Sequence, residues 1–190
     1  MRESVPFGVG KSRWRSALQP AFVAASVAWA ALLLLAPFAA SRPHASEVGT
    51  ALVVLVYGVG SLLCHQLPER SYRAWSAQMP VCARCAGIYL GAAIAAVVAA
   101  KMQAPLNGWP AGERRMHGGR RFSNANGSRL ALMAAAAPTM ATLVYEWTTG
   151  HMPAHGIRAA AGVPLGAVAA WLVTRHAGFE RFAHHSTGSG

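Results

Sequence analysis

An uninterrupted apolar run near the start of the chain constrains its fold more than any other feature. Residues 20–40 (PAFVAASVAWAALLLLAPFAA) carry no charged side chain, and the run is long enough to cross a hydrocarbon layer about 30 Å thick as a helix. A helix satisfies its backbone hydrogen bonds within one segment, as a backbone surrounded by lipid must. The sequence therefore predicts an all-α membrane protein, and 54% hydrophobic residues with only 12% charged ones agree with that class.

Four weaker apolar stretches follow the first, each alanine-rich, shorter, or interrupted by an ionisable residue. A signal peptide is the competing interpretation of the first run, because Lys11, Arg13 and Arg15 precede it. We predict a small polytopic helix bundle of about five transmembrane helices, with four as the alternative, at residues 20–40, 48–63, 81–100, 130–147 and 157–174.

The polar segments complete the predicted organisation. Residues 1–19 form a basic N-terminal segment, and residues 20–183 form one transmembrane domain. Within that domain, residues 105–129 are rich in Gly, Asn, Pro and Arg, which predicts a flexible basic loop. Residues 184–190 are predicted to be a disordered tail.

Two glycine motifs predict close packing of helices. Gly87 and Gly91 lie four residues apart in the third segment, and Gly162 and Gly166 do so in the fifth. Small residues at this spacing let helix backbones approach each other, whereas the alternative is an alanine-rich helix with no specific packing.

Basic residues lie mainly beside the apolar segments. The net charge is +11, and side chains such as Lys11, Lys101 and Arg129 lie where anionic lipid headgroups are the nearest partner. The expected partner is therefore the lipid bilayer with its anionic headgroups, and not a nucleic acid. The sequence indicates no particular protein partner or oligomer.

All three cysteines lie in one short stretch. Cys64 is followed by His65, and Cys82 and Cys85 form a CxxC pair at the start of the third segment. Three thiolates and one imidazole suit zinc or Cu(I), and an iron-sulfur unit is less favoured. Because the adjacent Cys64 and His65 side chains point in different directions, a site of three thiolates with an open fourth position is an alternative.

A second layer of polar residues is predicted around the cysteines. Alternation of five spans would place the N-terminus, the 64–80 loop and the 148–156 loop on one membrane face. The basic residues divide almost evenly between the two faces, so they do not identify that face. An ion pair between Arg84 and Glu146 would offset the cost of ionisable groups in neighbouring spans, unless both extend into the headgroups. The predicted layer contains Gln66, Arg70, Arg84 and Glu146.

One ordered string of residues resembles a known family. It reads CHQxPxRS at 64–71 and MPVCxRCxGIYxG at 79–91. This string is similar to the signature of the prokaryotic membrane proteins grouped as domain of unknown function 2085. The resemblance implies a small multi-pass protein of the prokaryotic cytoplasmic (inner) membrane with a Cys/His motif, and it carries no catalytic assignment.

Three functional hypotheses remain open. The chain contains no Asp and none of the P-loop, Rossmann or HExxH motifs, so the common hydrolase and nucleotide-binding classes have no support. The leading hypothesis is a membrane protein with a Cys/His metal site that acts in metal handling or a metal-dependent function. The alternatives are a membrane thiol-disulfide oxidoreductase using Cys82 and Cys85, and a small transporter or assembly factor with structural cysteines. Whether the protein is an enzyme stays undecided.

Overall fold

Five helices make up most of the residues that the computed structural model describes, which are 10–42, 46–103 and 125–183. Each predicted apolar segment overlaps one helix, so the small helical bundle expected from the sequence is confirmed. The predicted tail at 184–190 and most of the predicted loop, residues 105–124, lie outside the described residues. The helices are α1 (Gly10–Ala40), α2 (Glu47–Leu63), α3 (Ala83–Gln103), α4 (Ala125–Thr149) and α5 (His155–Ala183).

The helices differ in their capacity to cross a membrane. Within the described ranges, three stretches are long and apolar enough to do so: Leu18–Ala40, Ala83–Met102 and His155–Arg175. α2 is apolar but has only 17 residues, whereas α4 has 25 residues but includes Arg129 and Glu146. Large apolar side chains stay exposed on both of these helices, such as Leu62 on α2 and Met133 on α4. Such a surface suits contact with lipid.

The predicted glycine stripes form the contact between α3 and α5. A Cβ atom built on Gly87 would lie 1.9 Å from the carbonyl oxygen of Ala159, and one on Gly166 would lie 1.8 Å from that of Ile88. These distances are far below van der Waals contact, so only glycine permits the backbones to approach this closely. The prediction of close helix packing is therefore confirmed, and the alternative of alanine-rich helices with no specific packing is wrong.

A β-hairpin, which the sequence analysis did not predict, connects α2 to α3. After a 3-10 turn at Pro68–Arg70, strand β1 (Ser71–Ala74) pairs antiparallel with strand β2 (Ala77–Cys82). The two connecting residues, Trp75 and Ser76, both have positive φ, at 51° and 68°. Residues 81 and 82 thus belong to a strand, so α3 begins at Ala83 and not at the predicted residue 81.

Strand β2 is embedded in the bundle. Met79 and Val81 are buried in one apolar cluster with Leu33 and Ala36 of α1 and Val56 of α2. Burial of these side chains removes apolar surface from polar surroundings and fixes the hairpin against both helices. The hairpin therefore holds the chain between Cys64 and Cys82 in one place.

The order of contacts shows how α1 runs relative to α3. Trp29 stacks edge-on against Tyr89 of α3 at 6.0 Å between ring centroids. Further along α1, Leu33 and Ala36 meet strand β2, and Phe38 stacks against Trp75 at the hairpin tip. As the residue number increases along α1, the residue number of its contacts in α3 and the hairpin decreases. Helix α1 is therefore antiparallel to α3.

This direction corrects one expectation from the sequence. Simple alternation of five spans requires α1 and α3 to be parallel and puts the N-terminus beside the 64–80 loop. The end of α1 lies there instead, because α2 packs on α1 and β2 and not along the length of α3. The arrangement favours the alternative of four crossing helices, α1, α3, α4 and α5, with α2 and the hairpin at one end.

Candidate functional site

The three cysteines converge where α2 ends and α3 begins. Cys64 is the first residue after α2, Cys82 ends β2, and Cys85 lies in the first turn of α3. Their Sγ atoms all lie within 4.8 Å of one another, and each side chain is half-buried. None of the three forms a disulfide. Cysteines separated by up to 21 positions thus form one cluster of free thiols.

Two backbone N–H groups hold Cys64 and its sulfur in place. The backbone N–H of Cys82 donates to Sγ of Cys64 at 3.3 Å. The N–H of Cys64 donates to the carbonyl of Gly60 at 2.9 Å and so keeps Cys64 against the end of α2.

Hydrogen bonding from the Cys85 thiol lowers the pKa of Cys82 to about 5, against the opposing effect of burial. The cluster therefore favours a thiolate at Cys82 at neutral pH.

The donor set fits a small thiophilic ion. A tetrahedral site with metal–sulfur bonds of about 2.3 Å separates its sulfurs by about 3.8 Å, so the thiols need only small rotations to surround one ion. The common iron-sulfur clusters take four protein ligands, whereas the chain has three cysteines. The arrangement can hold a metal ion with three sulfurs and leave a fourth position open.

His65 does not join this group of ligand atoms. Its side chain is exposed, and the group found among the described residues comprises the three cysteines alone. His65 lines the same cavity as the thiols, but its absence from the group of ligand atoms agrees with the alternative of three thiolates.

Gln66 lies in the loop that carries Cys64. Its side-chain N–H₂ donates to the backbone carbonyl of Tyr57 at 2.9 Å. The backbone carbonyl of Gln66 accepts a hydrogen bond from Gln78 Nε2 at 2.5 Å. The Tyr57 hydroxyl in turn donates to the carbonyl of Gln78. Gln66 thus links the end of α2 to β2 and holds the loop in position, at a positive φ of 49°.

Glu146 is the centre of a charged cluster beside the thiols. Its side chain is only 5% exposed, and its carboxylate lies 2.9 Å from Arg84 Nη2, 3.6 Å from Arg158 Nε and 4.0 Å from Arg70 Nη2. Arg84 also donates to Thr142 Oγ1 at 3.1 Å. Arg84 and Glu146, for which the sequence favours an ion pair, are in direct contact.

Arg158 is the site residue that sequence analysis missed. It is 1% exposed, and it donates from Nη2 to the carbonyl of Arg70 at 3.1 Å. A signal was present, because Arg158 lies just inside the fifth predicted segment, 157–174. As an ionisable residue within a span, Arg158 needs a partner, just as Arg84 does.

Thiols and arginines share one cavity. Its volume is about 410 Å³, within the range typical of small-molecule sites. Three cysteines and three arginines line it, together with the loop after α2; the lining residues include Cys64, Cys82, Cys85, Arg70, Arg84 and Arg158. The site therefore combines soft metal ligands with concentrated positive charge.

Comparison with known proteins agrees with the membrane architecture. Residues 64–172 match the family model described as predicted membrane protein (DUF2085). An uncharacterised protein of Methanocaldococcus jannaschii is 38% identical over 66 residues, which cover 35% of this chain and 42% of that protein. The alignment thus spans less than half of the relative's length. No solved structure matches the chain.

Proposed function

This chain belongs to the family of predicted membrane proteins known as domain of unknown function 2085, and from that premise we propose that it holds one thiophilic metal ion, zinc or copper, with Cys64, Cys82 and Cys85. The proposed role is metal handling or a metal-dependent function in the prokaryotic cytoplasmic membrane. The observation that carries the proposal is the approach of three free thiols from three separate elements to within 4.8 Å. Thiolates select soft ions such as Cu(I) and also bind zinc strongly.

Positive charge lies in the same cavity as the three thiols. Three thiolates would concentrate negative charge, which burial makes costly unless cations lie nearby. Arg70, Arg84 and Arg158 line the same cavity, and Glu146 neutralises only one of them. The surplus positive charge would therefore offset negative charge that remains on three thiolates around a metal ion.

Metal content of the purified protein tests the proposal. Protein purified in detergent under reducing conditions and without chelator is expected to carry about one zinc or copper ion per chain by elemental analysis. Each of Cys64→Ser, Cys82→Ser and Cys85→Ser should lose most of it, because serine is a poor ligand for a soft ion. His65→Ala is the matched control and should keep it. Wild-type protein without a stoichiometric transition metal would refute the proposal.

A thiol-disulfide oxidoreductase is the second candidate, favoured by the low pKa of Cys82 in a CxxC pair. In that case Cys82 and Cys85 would form a disulfide and pass two electrons and two protons to a disulfide substrate, which would become two thiols. Titration of free thiols before and after mild oxidation separates the candidates. Three oxidation-resistant thiols that become reactive on metal removal support the metal site, whereas reversible loss of two thiols from metal-free protein supports the redox pair. Thiols that do neither indicate structural cysteines, as in a transporter or assembly factor.

A further inference from the structure

The arginine cluster carries more positive charge than its carboxylate can neutralise. Arg70, Arg84 and Arg158 all lie within 4.0 Å of Glu146, which leaves two of three positive charges without a carboxylate. Arg158 is 1% exposed and the Arg84 side chain 13%. Burying an unpaired charge costs free energy, so a further anion beside these arginines would stabilise the protein.

Hydrogen bonding shows the same surplus. The Nε atoms of all three arginines and Oε2 of Glu146 are buried and lack a hydrogen-bond partner among the described residues, so three donors remain against one acceptor in this cluster. Buried N–H groups of native proteins almost always have a partner. A guanidinium presents its N–H groups as a planar fork that matches the oxygens of a phosphate or carboxylate.

The thiols that line the same cavity limit what can balance this charge. Three thiolates around zinc have a net charge of −1, which leaves one of the two surplus positive charges. One thiolate in the metal-free cluster also leaves one of them, whereas three thiolates around Cu(I) offset both. The zinc-bound and metal-free forms therefore retain positive charge in the cavity.

We propose that this cavity binds a phosphate-class oxyanion between the three arginines and the three cysteines. The arginines supply charge and paired donors, and the cavity of about 410 Å³ has room for one such group. The oxyanion can be free phosphate or the phosphate of a lipid headgroup, because both present the same oxygens. For zinc-loaded protein, the oxyanion proposal rests on the proposed metal-binding function. For metal-free protein it rests on the surplus of arginine charge alone.

Calorimetric titration of the detergent-solubilised protein tests the proposal. Inorganic phosphate and short-chain dihexanoyl phosphatidate are added separately, to zinc-loaded protein and to chelator-treated protein. Saturable binding of either probe supports the site. Phosphate binding identifies free phosphate as sufficient, and binding of phosphatidate alone identifies the lipid headgroup.

Arg70→Gln is the informative variant, because its ion pair with Glu146 is the longest and its side chain is 37% exposed, so the fold should tolerate the change. Loss of one charge-assisted hydrogen bond predicts about tenfold weaker binding or more. Arg73→Gln on the exposed side of the hairpin is the control and should bind like wild type. A rise in the wild-type unfolding temperature with phosphate, and not with chloride of equal ionic strength, provides a second readout.

The outcomes separate this proposal from the metal site. If the protein as purified without chelator contains no metal but binds either probe, the metal site is refuted and the oxyanion site is supported. Zinc-loaded and chelator-treated proteins that both bind neither probe and show no rise in unfolding temperature refute the oxyanion site alone. Equal affinities of wild type and Arg70→Gln also refute it, because binding would then occur elsewhere.

Discussion

Replacing Glu146 by glutamine removes the negative charge that three arginines from three parts of the chain share. With an effective dielectric constant of about 20, Coulomb's law gives about 6 kcal/mol for the pair at 2.9 Å and about 5 kcal/mol for the pair at 3.6 Å. The third pair, with Arg70, contributes less because solvent screens it. Desolvation and repulsion among the arginines offset much of this attraction, and breaking a buried pair typically costs about 3–5 kcal/mol.

We expect Glu146→Gln to lie near the lower limit, about 3 kcal/mol, because the amide oxygen still accepts one hydrogen bond from Arg84. For a chain of 190 residues, each kcal/mol shifts the unfolding midpoint by about 2–4 °C, so the midpoint should fall by about 6–12 °C. Intrinsic tryptophan fluorescence during heating in detergent measures it. Exposed Glu69→Gln in the 3-10 turn makes the same chemical change and should shift the midpoint by less than about 2 °C.

A double-mutant cycle assigns the effect to the ion pair. Arg84→Gln should be destabilising alone and cost less in the Glu146→Gln background, because the partner charge is already absent. Midpoints of Glu146→Gln and Glu69→Gln that agree within error would refute the reasoning, since Glu146 would then be solvated and the arginines independent of it.

Two further predictions concern packing and membrane topology. Gly166→Ala should lower the unfolding midpoint, because a Cβ there would lie 1.8 Å from a backbone oxygen of α3. Gly58→Ala should leave the midpoint unchanged, because nothing lies within 4 Å of the added atom. A larger fall in the midpoint for Gly58→Ala than for Gly166→Ala would contradict the packing. In a background without native cysteines, Arg42→Cys and Thr148→Cys should react with a membrane-impermeant thiol reagent from the same side, and Lys101→Cys from the other. Labelling of positions 42 and 148 from opposite sides would restore the alternation of five spans.

The apolar runs predicted the helices because side-chain hydropathy is a local property that sequence shows directly. The hairpin was not predictable in this way. A two-residue turn with positive φ at both positions is normally marked by Asn-Gly or a similar pair, whereas Trp75 and Ser76 occupy it here. Tertiary contacts of Trp75 with Phe38 of α1 hold that turn, and such contacts leave no local pattern.

The candidate site was partly predictable for a related reason. Cys64, Cys82 and Cys85 stand out by residue type and by their position at the ends of apolar runs, and Arg84 and Glu146 by their charge within such runs. The assumed alternation of five spans gave α1 the wrong direction, yet the ends of α2 and α4 and the start of α3 still meet at the site. Arg158 is the second residue of the predicted fifth segment, where a charge within a span is not distinguishable from one beside it, because the start of a span cannot be located to one residue from hydropathy alone.

X-ray absorption at the metal edge of the purified protein tests the central claim most directly, because it reports the identity, number and distance of the atoms bound to the metal. The account predicts about three sulfur neighbours at about 2.3 Å around zinc or copper, and a loss of sulfur scattering in Cys64→Ser that His65→Ala does not reproduce. A metal surrounded only by nitrogen and oxygen, or a sulfur shell unchanged in the Cys64→Ser, Cys82→Ser and Cys85→Ser variants, would contradict it.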